Sequence, residues 1–340
     1  MESKATGLED LRAQANRTRY RPGQRSGHYE SFFMRANHPS RPHAFWIRYT
    51  IFSPQRHPEQ AIGELWAVWF DGESGHHVAV KKEVPFTRCA FSNAELLVTI
   101  DDARLQPGML VGSATSGSNT IAWELSFRGN EQPLFLLPLK LYDANLPKAK
   151  SLVALPLAMF SGSLSVDGRM IDITDWVGSQ NHNWGSKHTD HYAWAQVAGF
   201  DTHPRSFLEV ATARLKFGPL WTPFMTTLVL RHGGQEFALN SLRQAFRARG
   251  SFDYFSWRVA SETDAVRIDG TLRAPRDAFV GLRYMNPPGG IKHCLNSKIA
   301  ACELTVVDKR AARTDVLATA HRAAFEIVTD DRDHGIAIRV

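Results

Sequence analysis

Apolar and polar residues alternate with a period of two along much of this chain, and sustained helical periodicity is scarce. Only an extended strand sends successive side chains to opposite faces, so the pattern restricts the fold to mostly antiparallel β-structure, a barrel or a sandwich. Thr120–Arg128 is the clearest case: Ile121, Trp123, Leu125 and Phe127 share one face, with Glu124, Ser126 and Arg128 opposite. His43–Phe52 is aromatic and β-branched on both faces, as expected of a strand covered on each side. Gly63–Asp71, Tyr192–Ala198, Phe207–Phe217, Met225–Arg231 and Phe252–Ser261 read as further strands. Asp167-Gly168, between Phe160–Val166 and Met170–Trp176, predicts a hairpin, as do Asp269-Gly270 and His232-Gly233-Gly234-Gln235. Leu8–Arg19 is the one candidate helix.

The remaining composition mainly excludes. At 340 residues with 43% hydrophobic and 22% charged, the chain can bury a large core. Its longest apolar runs, such as Leu152–Phe160, fall well short of the ~20 residues a membrane helix needs. The N-terminus lacks an apolar signal core, which points to a cytoplasmic protein with at most transient membrane-surface contact. Three cysteines, Cys89, Cys294 and Cys302, with no C-x-x-C, read as reduced thiols. Of the formal charge of +6, residues 1–48 hold nine Lys/Arg, from Lys4 to Arg48, against four acids, among them Glu2. Residues 1–24 therefore read as a solvated basic arm, and with no accompanying motif a nucleic-acid partner is not expected. G-x-G-x-x-G, H-E-x-x-H and G-x-S-x-G are all missing, and Gly112–Asn119 has phosphate-loop spacing without its lysine, so it reads as a flexible loop. No sequence repeat is visible. Boundary candidates are Leu146–Ser151 and the Gly/Ser/Asn-rich Gly178–Ser186, dividing the chain into β domains of 25–185 and 186–340.

With 20 Phe, 9 Trp and 7 Tyr the chain is rich in aromatic rings, and they concentrate beside polar groups in Gly178–Gln196. That segment holds His182-Asn183-Trp184-Gly185, then His188, Asp190, His191, Tyr192 and Trp194. The tetrad and its aromatic strand resemble the central signature of the carotenoid 1,2-hydratases (hydroxyneurosporene synthases) and of the AttH-like proteins, lipocalin-like and allied to tocopherol cyclases. His28-Tyr29-Glu30-Ser31-Phe32-Phe33, Phe45–Thr50 and Gly63–Ala67 resemble the first strands of the same group. The resemblance implies two lipocalin-like antiparallel β-barrel (calycin-like) units around an apolar cavity. It also implies acid-initiated hydration, cyclisation or isomerisation of an isoprenoid or polyene double bond, with no cofactor and a hydrophobic small molecule as partner.

Protonating an alkene needs an acid in a dry pocket and aromatic faces within about 6 Å of the cation it makes. On the motif residues, the resemblance places His182 at proton transfer or water orientation and Trp184 at cation stabilisation. Tyr192, Trp194, Tyr29, Asn183 and Trp46 would bind substrate. In the hydratases the proton donor is an aspartate on a later strand; between Asp201 and Asp253 this chain offers only Glu209 and Glu236. Glu209 shares its face with Ala211, Ala213, Leu215 and Phe217, a setting that raises a carboxyl pKa and suits a general acid.

Each assignment has a plainer counterpart. Glu209 also fits a structural carboxylate paired with Arg214 or Arg243, and His182 a hydrogen bond across a barrel mouth. Tyr29 and Glu30 fit either a cap or a ligand-facing position, and His188, Asp190 and His191 a surface loop. A metal held by His182, His188 and His191 suits imidazole chemistry but has no supporting residues. The functional alternatives are a lipid or isoprenoid carrier that changes no bond, and a pericyclase that folds a polyene without an acid.

Overall fold

The computed structural model describes residues 7–340, so Glu2 and Lys4 lie outside the described residues. The chain forms two large antiparallel sheets along similar paths. In the first, of 12 strands, Val78–Pro85, Ile62–Asp71, His43–Ser53 and His28–Asn37 lie side by side. His28–Asn37 then pairs with Arg169–Gly185, which is joined through the Asp167-Gly168 turn to Ala149–Val166 and so to Asn119–Arg128. The sheet nearly closes where Val78–Pro85 meets Met109–Ser116: Lys81 N donates to Ser116 Oγ at 2.8 Å, and Ser116 Oγ to Lys81 O at 2.9 Å.

The second sheet, of 10 strands, repeats the plan. Gln235–Leu239, Met225–His232, Phe207–Arg214 and His191–Ala198 lie in order, and a long hairpin, Ile291–Asp308 with Arg313–Thr329, follows. The all-β expectation thus holds as a nearly closed barrel facing a second large sheet. No helix among the described residues is long and apolar enough to cross a membrane.

Alternation sorts the core. Phe32, Met34, Phe45, Ile47 and Tyr49 fill the first barrel, while Phe33, Trp46 and Trp66, from the other faces of the same strands, pack with the second sheet. Every residue of His43–Ser53 is buried, as two-sided covering requires.

Several local expectations are corrected, mostly at glycine. Gly112–Asn119 is not a flexible loop: Met109–Ser116 is a strand, because small residues must pass over Trp123. A Cβ on Gly112 would stand 2.8 Å from the Trp123 ring and 2.5 Å from Ala103 Cβ. Asp269-Gly270 turns no hairpin but lies inside Val266–Arg273, where Leu304 closes to 2.3 Å of the Cβ position of Gly270. Phe252–Ser261 is broken by a turn at Tyr254-Phe255, and the helix ends at Asn16.

The described part of the arm, residues 7–24, is held against the barrel at several points. Arg12 donates to Gly129 O at 2.8 Å and to Glu131 O at 2.9 Å, and Tyr20 is buried.

Gly178 is the tightest of these approaches, its missing Cβ leaving room for Arg35 O at 1.8 Å. Gly178→Ala is expected to cost on the order of 3 kcal/mol by forcing the Ala36 strand away. A denaturant midpoint equal to that of the parent would refute this.

Candidate active site

Between the sheets lies a cavity of about 410 Å³. From the first sheet it receives Tyr29, Phe33, Trp46, Arg48, Asn181 and Asn183, and from the second Tyr192, Trp194, Glu209, Tyr284 and Glu326. Leu136–Leu152 and the short helix Leu242–Arg247 add further apolar wall through Leu137, Leu141, Leu242 and Ala245.

Glu209 stands on Phe207–Arg214 in the row predicted from its sequence, and Ala211, Ala213 and Leu215 line the cavity beside it. Its partners are not Arg214 or Arg243. Trp194 Nε1 donates to Oε1 at 2.8 Å and Gln196 Nε2 to Oε2 at 2.8 Å. Arg214 instead lies over Trp221 and Phe224. Gln196 is itself held, accepting from Arg35 Nε at 3.0 Å and from Ser179 Oγ at 2.5 Å through its own oxygen. Burial pushes Glu209 up to about 7, against the two hydrogen bonds and the nearby Arg35 charge, with Glu326 adding to the rise. A carboxyl so placed exchanges a proton near neutrality, in an apolar chamber, with fixed orientation.

Glu326, Lys298 and Asn296 form a second polar group that sequence reasoning missed. Lys298 Nζ bridges Glu326 Oε1 at 2.6 Å and donates to Asn296 Oδ1 at 2.5 Å, while Asn296 Nδ2 donates to Glu326 at 3.0 Å. Lys298 is fully buried, and burial lowers its pKa against the pull of Glu326. Its ammonium lies 5.6 Å from the ring centroids of both Trp46 and Trp194. The available signal was Asn296 and Lys298 at i, i+2, two polar residues on one face of an apolar strand.

Of the sequence-proposed residues, Glu209, Tyr192, Trp194, Tyr29, Asn183 and Trp46 are brought together on the cavity wall, and His182 and Trp184 are not. Asn181 and Asn183 face the cavity, so the residues alternating with them face away. His182 is fully buried and stacked on Phe32 at 4.2 Å; its Nε2 meets Glu30 Oε1 at 2.8 Å and its Nδ1 meets Ala15 O at 2.7 Å. Trp184 packs on the other side of the sheet with Ala15, Leu152 and Ala154, under the Arg19 guanidinium at 5.0 Å.

Glu30 ties this region together. It accepts from Arg19 N at 2.7 Å, Tyr20 N at 2.8 Å and Thr18 Oγ1 at 2.9 Å, and it meets His28 Nε2 at 2.9 Å. Burial alone would raise its pKa, but hydrogen bonds from His182 and His28 outweigh that and hold it well below the carboxylate range.

The three imidazoles considered as metal ligands are dispersed. His188 is stacked on Tyr29 at 3.9 Å, and His191 meets Val328 O at 3.1 Å. His188 and Asp190 are buried, not part of a surface loop. Among the described residues one group does have metal-ligand spacing, His203, His232 and Asp315; it lies outside the cavity wall, and Asp315 is bridged to Arg313 at 2.7 Å.

A nearly closed antiparallel barrel and a second large antiparallel sheet, with an apolar cavity between them, make a lipocalin-like fold. No family model matches the chain. By sequence it is similar to the uncharacterized protein Rv0493c of Mycobacterium tuberculosis, 24% identical over 280 residues that cover 81% of this chain and 80% of that one. By structure it is similar to an AttH-like protein of Nitrosomonas europaea, with a TM-score of 0.55 at 12% identity, covering 89% of this chain and 91% of the other. Kievitone hydratase from Nectria haematococca gives 0.56 at 11%, covering 89% of each chain. CghA, solved with Sch210972, gives 0.52 at 10%, covering 89% and 88%. The expected fold is therefore shared with these solved proteins.

Proposed function

We propose that the cavity catalyses acid-initiated hydration or cyclisation of an apolar polyene or isoprenoid substrate, with Glu209 as proton donor. The observation that carries this reading is a protonatable carboxyl, pushed up to about 7, in an otherwise apolar row of the cavity wall. The proton passes from Glu209 to an alkene carbon, and the electron pair of the double bond forms the new C–H bond. The cation left on the adjacent carbon faces Trp194 and Trp46, whose rings stabilise it without trapping it. A water, or a second nucleophilic group of the substrate, then closes the reaction and returns a proton. Asn183 Oδ1, buried on this wall with no hydrogen-bond partner, can orient that water. His182 and Trp184 then support the sheet instead of touching substrate. The hydratase among the structural neighbours supports the hydration step, and the His-Asn-Trp-Gly resemblance supports an isoprenoid alkene.

The test is isotopic. Apolar ligand extracted from purified protein, then incubated with it in deuterated water, is expected to give product carrying carbon-bound deuterium. Turnover should fall as pH rises above about 7, where the donor loses its proton. Ligand returned unaltered would identify a carrier, and a product without solvent deuterium a pericyclic catalyst; either result overturns the reading.

A further inference from the structure

Among the described residues, Arg48 is the one cation of the cavity wall that is deeply buried without a carboxylate of its own. It is 4% exposed, makes no salt bridge, and makes a single hydrogen bond, from Nε to Ser31 Oγ at 2.8 Å. Its guanidinium carbon lies 4.7 Å from the Tyr284 ring centroid and 5.9 Å from that of Trp46. Glu326 and Glu64, whose charges reach it, are already bridged to lysines, Lys298 at 2.6 Å and Lys81 at 2.8 Å. The second terminal group of the wall, Lys150, donates to Pro147 O at 2.9 Å and so is occupied. Four N–H bonds of the Arg48 fork therefore have no acceptor among the described residues.

The groups around Arg48, Tyr284 first and then Glu64 and Glu326, keep the buried guanidinium charged, but none of them accepts its terminal N–H bonds, which are costly to bury unsatisfied. The two free ends of the fork match a planar oxyanion, which accepts two parallel N–H bonds. From Arg48 the wall continues through Trp46 and Phe33, with centroids 6.3 Å apart, to Trp194, 6.2 Å further, and then to Glu209. On this wall the Arg48 guanidinium and the Glu209 carboxyl are thus linked by a row of aromatic rings.

We infer that the substrate is amphiphilic: an apolar unsaturated chain carrying one planar oxyanion, such as a carboxylate, seated on the free ends of the Arg48 guanidinium. This rests on the reading of the cavity as a hydrophobic substrate site and adds the chemical class of the substrate's head. Arg48 anchors that head and fixes which double bond lies beside Glu209. The anchor also sets orientation, since an apolar chain alone could enter either way round.

The experiment compares cis-parinaric acid, a fluorescent tetraene, with its methyl ester, which keeps the chain and removes the charge. At neutral pH the acid is expected to bind the purified protein at least about tenfold more tightly than the ester. Arg48→Met is expected to abolish that ratio and Arg48→Lys to keep part of it, with circular dichroism checking that each variant folds. Glu209→Gln, altered only at the reacting end, should keep the preference. Equal binding of acid and ester by the parent protein would overturn the inference while leaving the hydrophobic site intact, and would do so even if Arg48→Met failed to fold. Preference retained in a folded Arg48→Met would also overturn it. Binding of neither probe would overturn the inference together with the functional reading beneath it.

Discussion

Glu209→Gln is expected to lower turnover by about 10²–10⁴-fold while leaving binding of an apolar ligand nearly unchanged. The amide has the size of the carboxyl and can still accept from Trp194 Nε1, but it has no proton to give to carbon. A large fall in kcat with KM held would separate a proton donor from a merely structural carboxylate. Equal turnover in the variant would remove Glu209 from the mechanism. The same substitution should change stability in a defined direction. Below the ordinary carboxylate range, folded and unfolded chains both carry the proton, and the contribution is complete. As pH rises toward about 7 the unfolded chain ionises first, so stability is lost across that window, by about 3 kcal/mol in all. In Glu209→Gln this loss should be absent from the pH profile of urea unfolding.

Glu30→Ala is expected to cost about 3–5 kcal/mol. The substitution leaves His182, His28 and the amides of Arg19 and Tyr20 facing a hole with no acceptor. Hydrogen exchange at Arg19 and Tyr20 should speed up well before global unfolding, and the denaturation midpoint should fall. In the parent protein the Glu30 contribution is present above the usual carboxylate range and is lost as pH falls through its depressed folded value. An unchanged midpoint, or exchange that stays slow at both amides, would show that the N-terminal segment is held by other contacts.

What could be read in advance follows from which forces are local. Ile121, Trp123, Leu125 and Phe127 alternate with exposed neighbours, so that strand was legible without any partner. The same held for the apolar row around Glu209. Gly112 and Gly270 misled because a glycine in a strand and a glycine in a turn look alike until the side chain crossing above it is known; here those were Trp123 and Leu304. The His-Asn-Trp-Gly segment was correctly seen as unusual, but alternation alone does not say which parity faces the cavity. That was decided by register: Glu30 lies opposite Trp184 and Phe32 opposite His182, which commits both motif side chains to the far side. Glu326 and Lys298 were invisible because nothing in either strand names its partner; the hairpin that sets Asn296 against Glu326 brings them together. The shared path of the two sheets left no visible sequence repeat and was implied only by the family resemblance, for a common topology needs only a common pattern of burial, which many sequences satisfy.

In both sheets the opening strand is bonded to the closing strand, His28–Asn37 to Arg169–Gly185 and His191–Ala198 to Arg313–Thr329. A chain emerging from the ribosome therefore cannot finish either half until that half is almost wholly made. Until residue 182 arrives, Glu30 lacks one of its partners and the first helix has no imidazole to bind through Ala15. Glu209 lies one strand away from the closing strand of its sheet, which pairs with the neighbouring His191–Ala198. Glu326, one of the groups that raise the pKa of Glu209, stands on that closing strand, so the surroundings of the proposed acid are complete only when the last strand of the second sheet is in place.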